Sequence, residues 1–479
     1  MGEAVKREDF SNVGNARIIL AEFVKDHRYA VGLGWMQWNG VQWVLDPDGK
    51  EAEAKVKKLA PAAVDLLLQN DIADDIEKAG RRNFYALHQV ANIKAVTQAL
   101  TLFNEVRIPA GKFDSVLGVI NCQNGVYDLD AQKFIPHKSG KTRDYLCRHV
   151  TGCEYDPKAE CPQWNKFLEY SLSPEMESYV RQVIGLCLTG RIDTEKFWFV
   201  FGIPGTGKSR FLETLAQLFG DYGGHINAST LCANTKPAIP TEIADLHGKR
   251  FVHSTEVNVR MQLDEALLCD LAGNDTLTAR QLYQPNFKFM PTHRLFLRGN
   301  SKPQIKDIDS GLWRRLKFIE FQKSLIDAPA ELIPKVEEGE VLKELLLAEL
   351  SGILNWAIDG YKIVQRIPRI IDPVEATAPT EEYKKQSDLI GLWAEENLVC
   401  DKEDRRMFTG KKELYDNYQA WGEEQGINYT LSKVQLLRTL KDRGFEDGRE
   451  GHTGKRVVYG LRIKDESEKA NDVYEERYR

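Results

Sequence analysis

The sequence lacks several features that define large classes of protein. No apolar run approaches the roughly 18 residues that a membrane-spanning helix needs. The opening stretch, MGEAVKREDF, has no apolar signal core. The chain also has no internal repeat and no low-complexity tract. These absences argue against a membrane protein or a secreted one, and they predict a cytoplasmic protein.

The cysteines do not form a recognisable metal-binding or disulfide pattern. There are eight, and no CxxC pair occurs among them. Cys147, Cys153 and Cys161 lie near one another with His149 between the first two, but gaps of six and eight residues do not match common zinc-ligand spacing. We therefore expect reduced, partly buried thiols rather than a zinc site.

The chain has no excess of positive charge. Its 65 lysines and arginines face 71 aspartates and glutamates, which gives a net charge of −6. This balance argues weakly against a protein that coats nucleic acid. A local basic channel would nevertheless bind DNA whatever the net charge of the chain. The chain of 479 residues is too long for one compact core, so several domains are predicted.

Four short apolar segments predict strands between residues 196 and 321. They read KFWFVF, KRFVHS, HRLFLRG and LKFIEF, and helical or turn-rich sequence separates them. This alternation is typical of an α/β domain with a mainly parallel sheet flanked by helices.

Mixed and helical sequence flanks this α/β region on both sides. Residues 1–180 combine helical stretches with two predicted hairpins, whose turns are placed at Asn39-Gly40 and Asn124-Gly125. A helical segment follows the α/β region, and prolines between Arg366 and Thr380 predict a linker. The predicted domains are residues 1–180, 181–325, a helical segment and linker at 326–380, and 381–479.

The segment FGIPGTGKSR carries the pattern G-x-x-x-x-G-K-[ST] between a predicted strand and a predicted helix. The glycines allow backbone N–H groups to turn toward phosphate oxygens. Lys208 would reach the β- and γ-phosphates, and Ser209 would bind Mg²⁺. A fortuitous glycine-rich turn is the alternative. The residues predicted to bind ATP are Gly202, Ile203, Pro204, Gly205, Thr206, Gly207, Lys208, Ser209 and Arg210.

Three later signals favour an ATPase over a small nucleotide kinase. Glu256 ends a predicted strand and could polarise water or help Ser209 to hold Mg²⁺, although a solvated strand-end glutamate is the simpler alternative. Asn300 ends the next predicted strand, where an amide could orient water, but asparagine is also common in turns. Arg314 and Arg315 could supply an arginine finger, or they could be a surface basic pair.

These stretches together resemble superfamily 3 DNA helicases of the phage, plasmid and poxvirus primase-helicase type, which belong to the AAA+ ATPases. FGIPGTGKS is similar to the family's Walker A segment and RFVHSTE to its Walker B segment. LFLRGNSKP is similar to its sensor 1, and LWRRLKFIEF to the segment that carries the arginine finger. Thr255 departs from the family, because many P-loop ATPases have a metal-binding aspartate there. Recognisable primase motifs are absent.

The resemblance implies the remaining architecture and the activity. A helical or mixed domain would precede a P-loop AAA+ ATPase domain, and a winged-helix-like domain would follow it. The protein would form a ring, most simply a homo-hexamer, that uses ATP and Mg²⁺ to move 3′ to 5′ along single-stranded DNA at forks. A separate primase or polymerase would be its partner. An ATP-dependent origin-binding initiator or loader is the alternative, and an ATPase that acts on RNA or protein is a third.

Two regions carry the predicted DNA contacts. The segment ARQLYQPNFKFMP alternates aromatic and basic residues around a turn. If it is a hairpin, Arg280 and Lys288 would meet phosphates, and Tyr283 or Phe287 would stack on bases. Phe289 is instead predicted to pack in the core. In the C-terminal region a basic helix is predicted to turn Val434, Leu437 and Leu440 inward and its basic side chains, Lys433 and Arg438 among them, outward. This helix and a following hairpin would contact DNA, unless these charges form a solvated face. The candidate residues there are Lys433, Arg438, Lys455 and Arg456.

Overall fold

The computed structural model describes residues 5–70, 72–233, 241–258, 261–280, 286–303, 305, 311–329, 339–425, 431–451, 453–465 and 467–468. The chain divides into two compact units. The first comprises residues 1–303 and 314–377, and the second comprises 304–313 and 378–479. Tyr283 of the predicted DNA hairpin lies outside the described residues.

A four-stranded sheet and helices open the first unit. The sheet has the order β3-β2-β1-β4. The hairpin between β2 and β3 confirms the predicted strand pair, but Trp38 pairs with Trp43, so its loop spans residues 39–42 rather than two residues. The Asn39 side chain closes this loop by accepting hydrogen bonds from the backbone N–H groups of Val41 and Gln42. The elements are α1 (Asn12–Phe23), β1 (His27–Val31), β2 (Gly34–Trp38), β3 (Trp43–Asp46), α2 (Lys50–Leu68), α3 (Asp74–Ala86), α4 (Val90–Leu100) and β4 (Arg107–Pro109).

A three-stranded antiparallel sheet and two helices follow. The predicted hairpin is present, but Cys122 pairs with Gly125, so Gln123 and Asn124 form its turn. Both helices begin with proline at the first helical position, where the missing N–H costs no hydrogen bond. The elements are β5 (Val119–Cys122), β6 (Gly125–Asp128), β7 (Lys133–Pro136), α5 (Pro162–Ser171) and α6 (Pro174–Cys187).

The central sheet has five strands in the order β14-β8-β13-β10-β9, and every neighbouring pair is parallel. It contains all four predicted strands. The fifth, β9, was not predicted, because its sequence GGHI begins with two glycines and has no apolar run. The elements are β8 (Phe197–Phe201), α7 (Lys208–Phe219), β9 (Gly223–Ile226), α8 (Thr241–Ala244), β10 (Phe251–Val257), α9 (Glu265–Ala272), β11 (Leu277–Ala279), β12 (Phe287–Phe289), β13 (Arg294–Gly299), α10 (Leu312–Arg315) and β14 (Leu316–Glu320).

Three further helices follow the central sheet: α11 (Gly339–Ala348), α12 (Leu350–Val364) and α13 (Val374–Ser387). Helix α12 packs closely on α6, since a Cβ on Gly360 would lie 2.1 Å from the carbonyl oxygen of Arg181. The second half of the predicted linker at 366–380 is helical, because α13 begins at Val374 and contains Pro379. A proline in the interior removes one helical hydrogen bond but does not end this helix.

Two buried arginines join the central sheet to the end of α6. Arg294 begins β13 and donates hydrogen bonds to the carbonyl oxygens of Leu186 (2.7 Å) and Arg191 (2.8 Å). Arg250 precedes β10 and donates to the carbonyl oxygen of Leu188. Burial lowers the pKa of Arg294. The last carbonyls of a helix lack intrahelical donors and attract cations, so the two guanidinium groups complete the end of α6.

Replacing Arg294 with methionine is expected to destabilise the first unit. The carbonyl oxygen of Arg191 would lose its Arg294 donor, and that of Leu186 would keep only its donors from Thr189. The loss costs about 1–3 kcal/mol of unfolding free energy. Urea unfolding followed by far-UV circular dichroism measures the change, and Arg81→Met on the exposed face of α3 is the matched control. Equal midpoints for Arg294→Met and the control would contradict this structural role.

The second unit is a small mixed α/β body with its own core. Trp393 and Tyr418 pack at its centre with Leu436 and Leu440. Its strands form a three-stranded antiparallel sheet, β16-β18-β17, and a separate pair, β15-β19. The elements are α14 (Leu389–Asn397), β15 (Leu398–Cys400), β16 (Phe408–Gly410), α15 (Lys411–Glu424), α16 (Lys433–Asp442), β17 (Glu446–Arg449), β18 (Arg456–Tyr459) and β19 (Leu461–Ile463).

Candidate functional site

The strand order of the central sheet includes a switch point. The chain leaves β8 for β9 at one end of the sheet, and it leaves β13 for β14 at the opposite end. Strands β8 and β13 are neighbours, and the connections that leave them run toward opposite ends of the sheet. In open parallel sheets, ligands bind outside the carboxyl ends of strands at such a switch point. The segments that follow β8 and β13 therefore form the candidate site.

A glycine-rich loop, residues 202–207, joins β8 to α7 as the sequence pattern predicts. Gly202, Gly205 and Gly207 have φ angles of +145°, +82° and +91°, which side chains other than glycine rarely adopt. A Cβ on Gly202 would lie 2.1 Å from the carbonyl oxygen of Phe321, whereas the nearest atom to one on Gly205 is 3.6 Å away. Packing therefore requires glycine at Gly202, whereas at the exposed Gly205 it is the positive φ angle that favours glycine.

Lys208 is buried at the start of α7, directly after this loop. Only 6% of the residue is exposed. Its Nζ donates to the carbonyl oxygens of Gly202 (2.6 Å) and Ile203 (2.7 Å), and to Thr206 Oγ1 at 3.2 Å. Burial lowers the pKa of Lys208, and the negative charge of Glu256 opposes that shift. The ammonium group is thus held inside its own loop, where it forms no ion pair with the described carboxylates.

An arginine that the sequence analysis did not identify lies beside the same loop. Arg298 is on β13, two residues before Asn300, and its Nη1 donates to Ser209 Oγ at 2.9 Å. Its Nε is buried and has no hydrogen-bond partner. A charged residue within an apolar strand segment ordinarily suggests an exposed position, and LFLRG gave no other signal. The contact with Ser209 brings Arg298 into the candidate site.

Glu256 and Asn300 meet at the ends of β10 and β13. Asn300 Nδ2 donates a hydrogen bond to Glu256 Oε1, and the Glu256 side chain is exposed. The neighbouring Thr255 has a separate structural role, because its hydroxyl accepts a hydrogen bond from the backbone N–H of Ala228 at 2.7 Å. Lys208, Ser209, Glu256 and Asn300 are therefore gathered at one sheet edge, as the motif order predicts.

These residues suit a phosphate-bearing ligand. Lys208 and Arg298 supply two positive charges. The negative charge of Glu256 raises the pKa of Lys208 and so favours its charged form. The unpartnered Nε of Arg298 and the N-terminus of α7 both favour an anion. A triphosphate with Mg²⁺ fits this donor set, with Ser209 and Glu256 as the available oxygen ligands. Among the described residues, no group of three or more His, Cys, Asp or Glu side chains could hold a metal ion by itself.

The structure places the two candidates for the arginine finger in different environments. Arg315 donates to the carbonyl oxygen of Cys269 and to Glu195 Oε2, both at 2.5 Å, and 12% of its side chain is exposed. The Arg314 side chain is 73% exposed, and its Nη2 lies 3.8 Å from the same Glu195 carboxylate. Arg315 is thus anchored within its own chain, and Arg314 is available to reach another molecule.

The predicted DNA hairpin is present as an antiparallel pair of β11 and β12, in which Thr278 pairs with Lys288. Arg280 and Lys288 are exposed. Phe289 is buried as predicted, and both Phe287 and Phe289 lie against the His247 ring, with centroids 5.9 and 5.3 Å from it. Phe287 therefore packs partly against the domain, and its stacking on bases stays a prediction.

The basic helix of the second unit, α16, faces its core differently from the prediction. Leu436 and Leu440 are buried, whereas Val434, predicted to be apolar and inward, is 77% exposed. Lys433 lies one turn before Leu436 on the same face and is half-buried, which corrects its predicted outward position. The Arg438 side chain is 83% exposed. Lys455 and Arg456, beside and at the start of β18, are both exposed.

The cysteines near His149 form structural contacts. Cys147, Cys153 and Cys161 are buried, and burial raises the pKa of each thiol to about 12. His149 Nδ1 lies 3.2 Å from Asp114 Oδ2. All eight cysteines are free thiols.

Comparison with known proteins shows which proteins this chain is similar to. Residues 16–171 match the family described as "D5 N terminal like". A protein of Acanthamoeba polyphaga mimivirus, "Putative helicase L207/L206", is 29% identical over 65% of this chain and 33% of its own. "Putative helicase V13" of Sputnik virophage is 25% identical over 44% of this chain and 29% of its own. Other matched viral proteins are named as helicases or primases.

These matches confirm the resemblance to the primase-helicase family, to whose viral replication proteins this chain is related. The narrower assignment to superfamily 3 and the AAA+ ATPases stays a prediction. The chain spans about a third of the length of these curated relatives. Among solved structures, the apo A form of the NrS-1 C-terminal region aligns with 93% of this chain and 98% of its own, at 12% identity and a TM-score of 0.48. No described helix is long and apolar enough to cross a membrane.

Proposed function

We propose that this chain is the ATP-hydrolysing motor of a DNA helicase. The observation that carries the proposal is the meeting of Lys208, Ser209, Glu256 and Asn300 at the switch point of a parallel sheet. Lys208, Ser209 and the loop N–H groups would hold the phosphates and Mg²⁺, and Glu256 would orient water with Asn300. Bound Mg²⁺-ATP would supply the phosphoanhydride bond whose hydrolysis drives movement.

The exposed Arg314 and the anchored Arg315 support a nucleotide site to which two neighbouring subunits contribute residues. An exposed arginine near a nucleotide site can stabilise charge on the phosphoryl group of a neighbouring subunit. Arg314 has this exposure, whereas Arg315 is committed to Cys269 and Glu195. We therefore assign the finger to Arg314 and propose a closed ring, most simply a hexamer, in which each interface forms one active site.

DNA contact would fall to the hairpin of β11 and β12. Lys288 and Arg280 are exposed and positively charged, while Phe287 and Phe289 hold the strand pair against His247. This arrangement favours contact with phosphates rather than with base edges. Arg438, Lys455 and Arg456 of the second unit would add phosphate contacts. The expected substrate is single-stranded or forked DNA, with a separate primase or polymerase as partner.

Strand displacement on forked DNA tests the motor and its direction together. With ATP and Mg²⁺, the wild type is expected to unwind a fork with a 3′ tail and not one with a 5′ tail, and Lys208→Ala is the blank. Unwinding from the 5′ tail would contradict the proposed 3′ to 5′ direction. DNA-stimulated hydrolysis without unwinding of either fork would instead favour an origin-binding initiator or loader, and stimulation by RNA alone would contradict DNA as substrate.

A further inference from the structure

Arg298 is placed to act on the ligand of the candidate site, beyond the residues already assigned to the proposed ATPase. It lies near the carboxyl end of β13, in register with Val200 of β8 on one side and Glu256 of β10 on the other. Its backbone N–H donates to Ser254 Oγ at 3.2 Å, which fixes the strand at this point. The guanidinium group therefore emerges from the middle of the sheet toward the start of α7.

The hydrogen bonding of Arg298 leaves it available to an anion. Nη1 donates to Ser209 Oγ at 2.9 Å, and the buried Nε has no partner. Glu256, which pairs with Arg298 across the sheet, accepts a hydrogen bond from Asn300 instead. No described carboxylate forms an ion pair with Arg298. A guanidinium group has five N–H donors in a rigid fork that matches phosphate oxygens, so a serine hydroxyl alone uses little of its capacity.

Ser209 has two incompatible tasks in the proposed ATPase. It accepts a hydrogen bond from Arg298, and the same oxygen would bind Mg²⁺ when the nucleotide is present. A cation bonded to that oxygen repels a second cation at the same position. Arg298 must therefore leave Ser209 when Mg²⁺ arrives, and the terminal phosphate is the anion that could receive it.

We propose that Arg298 senses the terminal phosphate of the nucleotide: its guanidinium group leaves Ser209 and binds the γ-phosphate of a nucleoside triphosphate from within the same subunit. This inference rests on the proposed ATPase function. Arg298 then distinguishes the triphosphate from the diphosphate, because the diphosphate lacks the group that the guanidinium binds. Lys208, deeper in the loop, serves both nucleotides.

Binding of a non-hydrolysable ATP analogue and of ADP, each with Mg²⁺, tests this role in Arg298→Gln. Loss of one charge-assisted contact is expected to weaken the triphosphate analogue by about 10- to 100-fold. The affinity for ADP should stay unchanged. Arg298→Lys keeps the positive charge but not the forked donor geometry. Its affinity for the triphosphate analogue should therefore lie between those of the wild type and Arg298→Gln. Arg81→Gln on α3 is the matched control for loss of a surface arginine.

Each other outcome has a distinct meaning. Equal weakening of both nucleotides by Arg298→Gln, or no weakening of either, would overturn the sensing role and leave Arg298 as a support for Ser209. If the wild type binds neither nucleotide more tightly than Lys208→Ala does, the site is not a nucleotide site, and both this inference and the proposed function fail. Selective loss of the triphosphate with intact binding of ADP is the result that supports both.

Discussion

The Lys208→Ala variant is expected to lose ATP hydrolysis by a factor of about 10² to 10³ or more, and strand displacement with it. The Lys208 ammonium group is the deepest cation of the site and is already desolvated by the loop that surrounds it. A preorganised cation in a water-poor site stabilises developing phosphate charge more than the same cation in water does. Its removal therefore affects turnover more than the loss of any exposed lysine would.

Turnover is measured as phosphate release at saturating ATP with and without single-stranded DNA. Lys78→Ala, an exposed lysine on α3, is the matched control and should hydrolyse ATP like the wild type. Lys208→Met keeps most of the buried aliphatic stem, so equal loss in the alanine and methionine variants attributes the effect to the charge. Normal hydrolysis by a folded Lys208→Met protein would remove the glycine-rich loop from the proposed mechanism.

The parallel sheet could be predicted because its strands are buried on both faces. Such strands read as continuous apolar runs, and Phe197 to Val200 are all buried in β8. Strand β9 lies at the edge of the sheet and begins with Gly223 and Gly224, so it lacks that signal. The hairpin turns were predicted less well, because the first loop spans residues 39–42 and the second turn lies one residue earlier, at Gln123 and Asn124.

The candidate site could be predicted where its residues end strands or begin a helix in a known order. Lys208, Glu256 and Asn300 satisfy that condition, and the fold brings them to one edge. Arg298 does not, because its role depends on which side of β13 faces α7, and a sequence shows no such contact. The predicted orientation of α16 was wrong for a similar reason. Val434 and Leu436 are both apolar, and only packing decides which one is buried.

The choice between Arg314 and Arg315 also required the structure, and it leads to the second large effect. Arg314→Ala is expected to lower ATP turnover by about 10³ to 10⁵, the contribution of an arginine finger, while the protein stays folded and binds ATP. Arg315→Ala is expected to act on stability first, because its hydrogen bonds to Cys269 and Glu195 hold α10 against α9 and the segment before β8.

Turnover, nucleotide affinity and the thermal midpoint of both variants separate these two roles. Mixing Arg314→Ala with Lys208→Ala adds a sharper readout, since each protein lacks a different half of the site. If Arg314 acts on the neighbouring subunit, some interfaces in mixed rings contain an intact Lys208 beside an intact Arg314, and hydrolysis returns. If mixing restores nothing although mixed rings form, Arg314 does not act across the interface. Normal turnover in Arg314→Ala alone would transfer the finger to another cation.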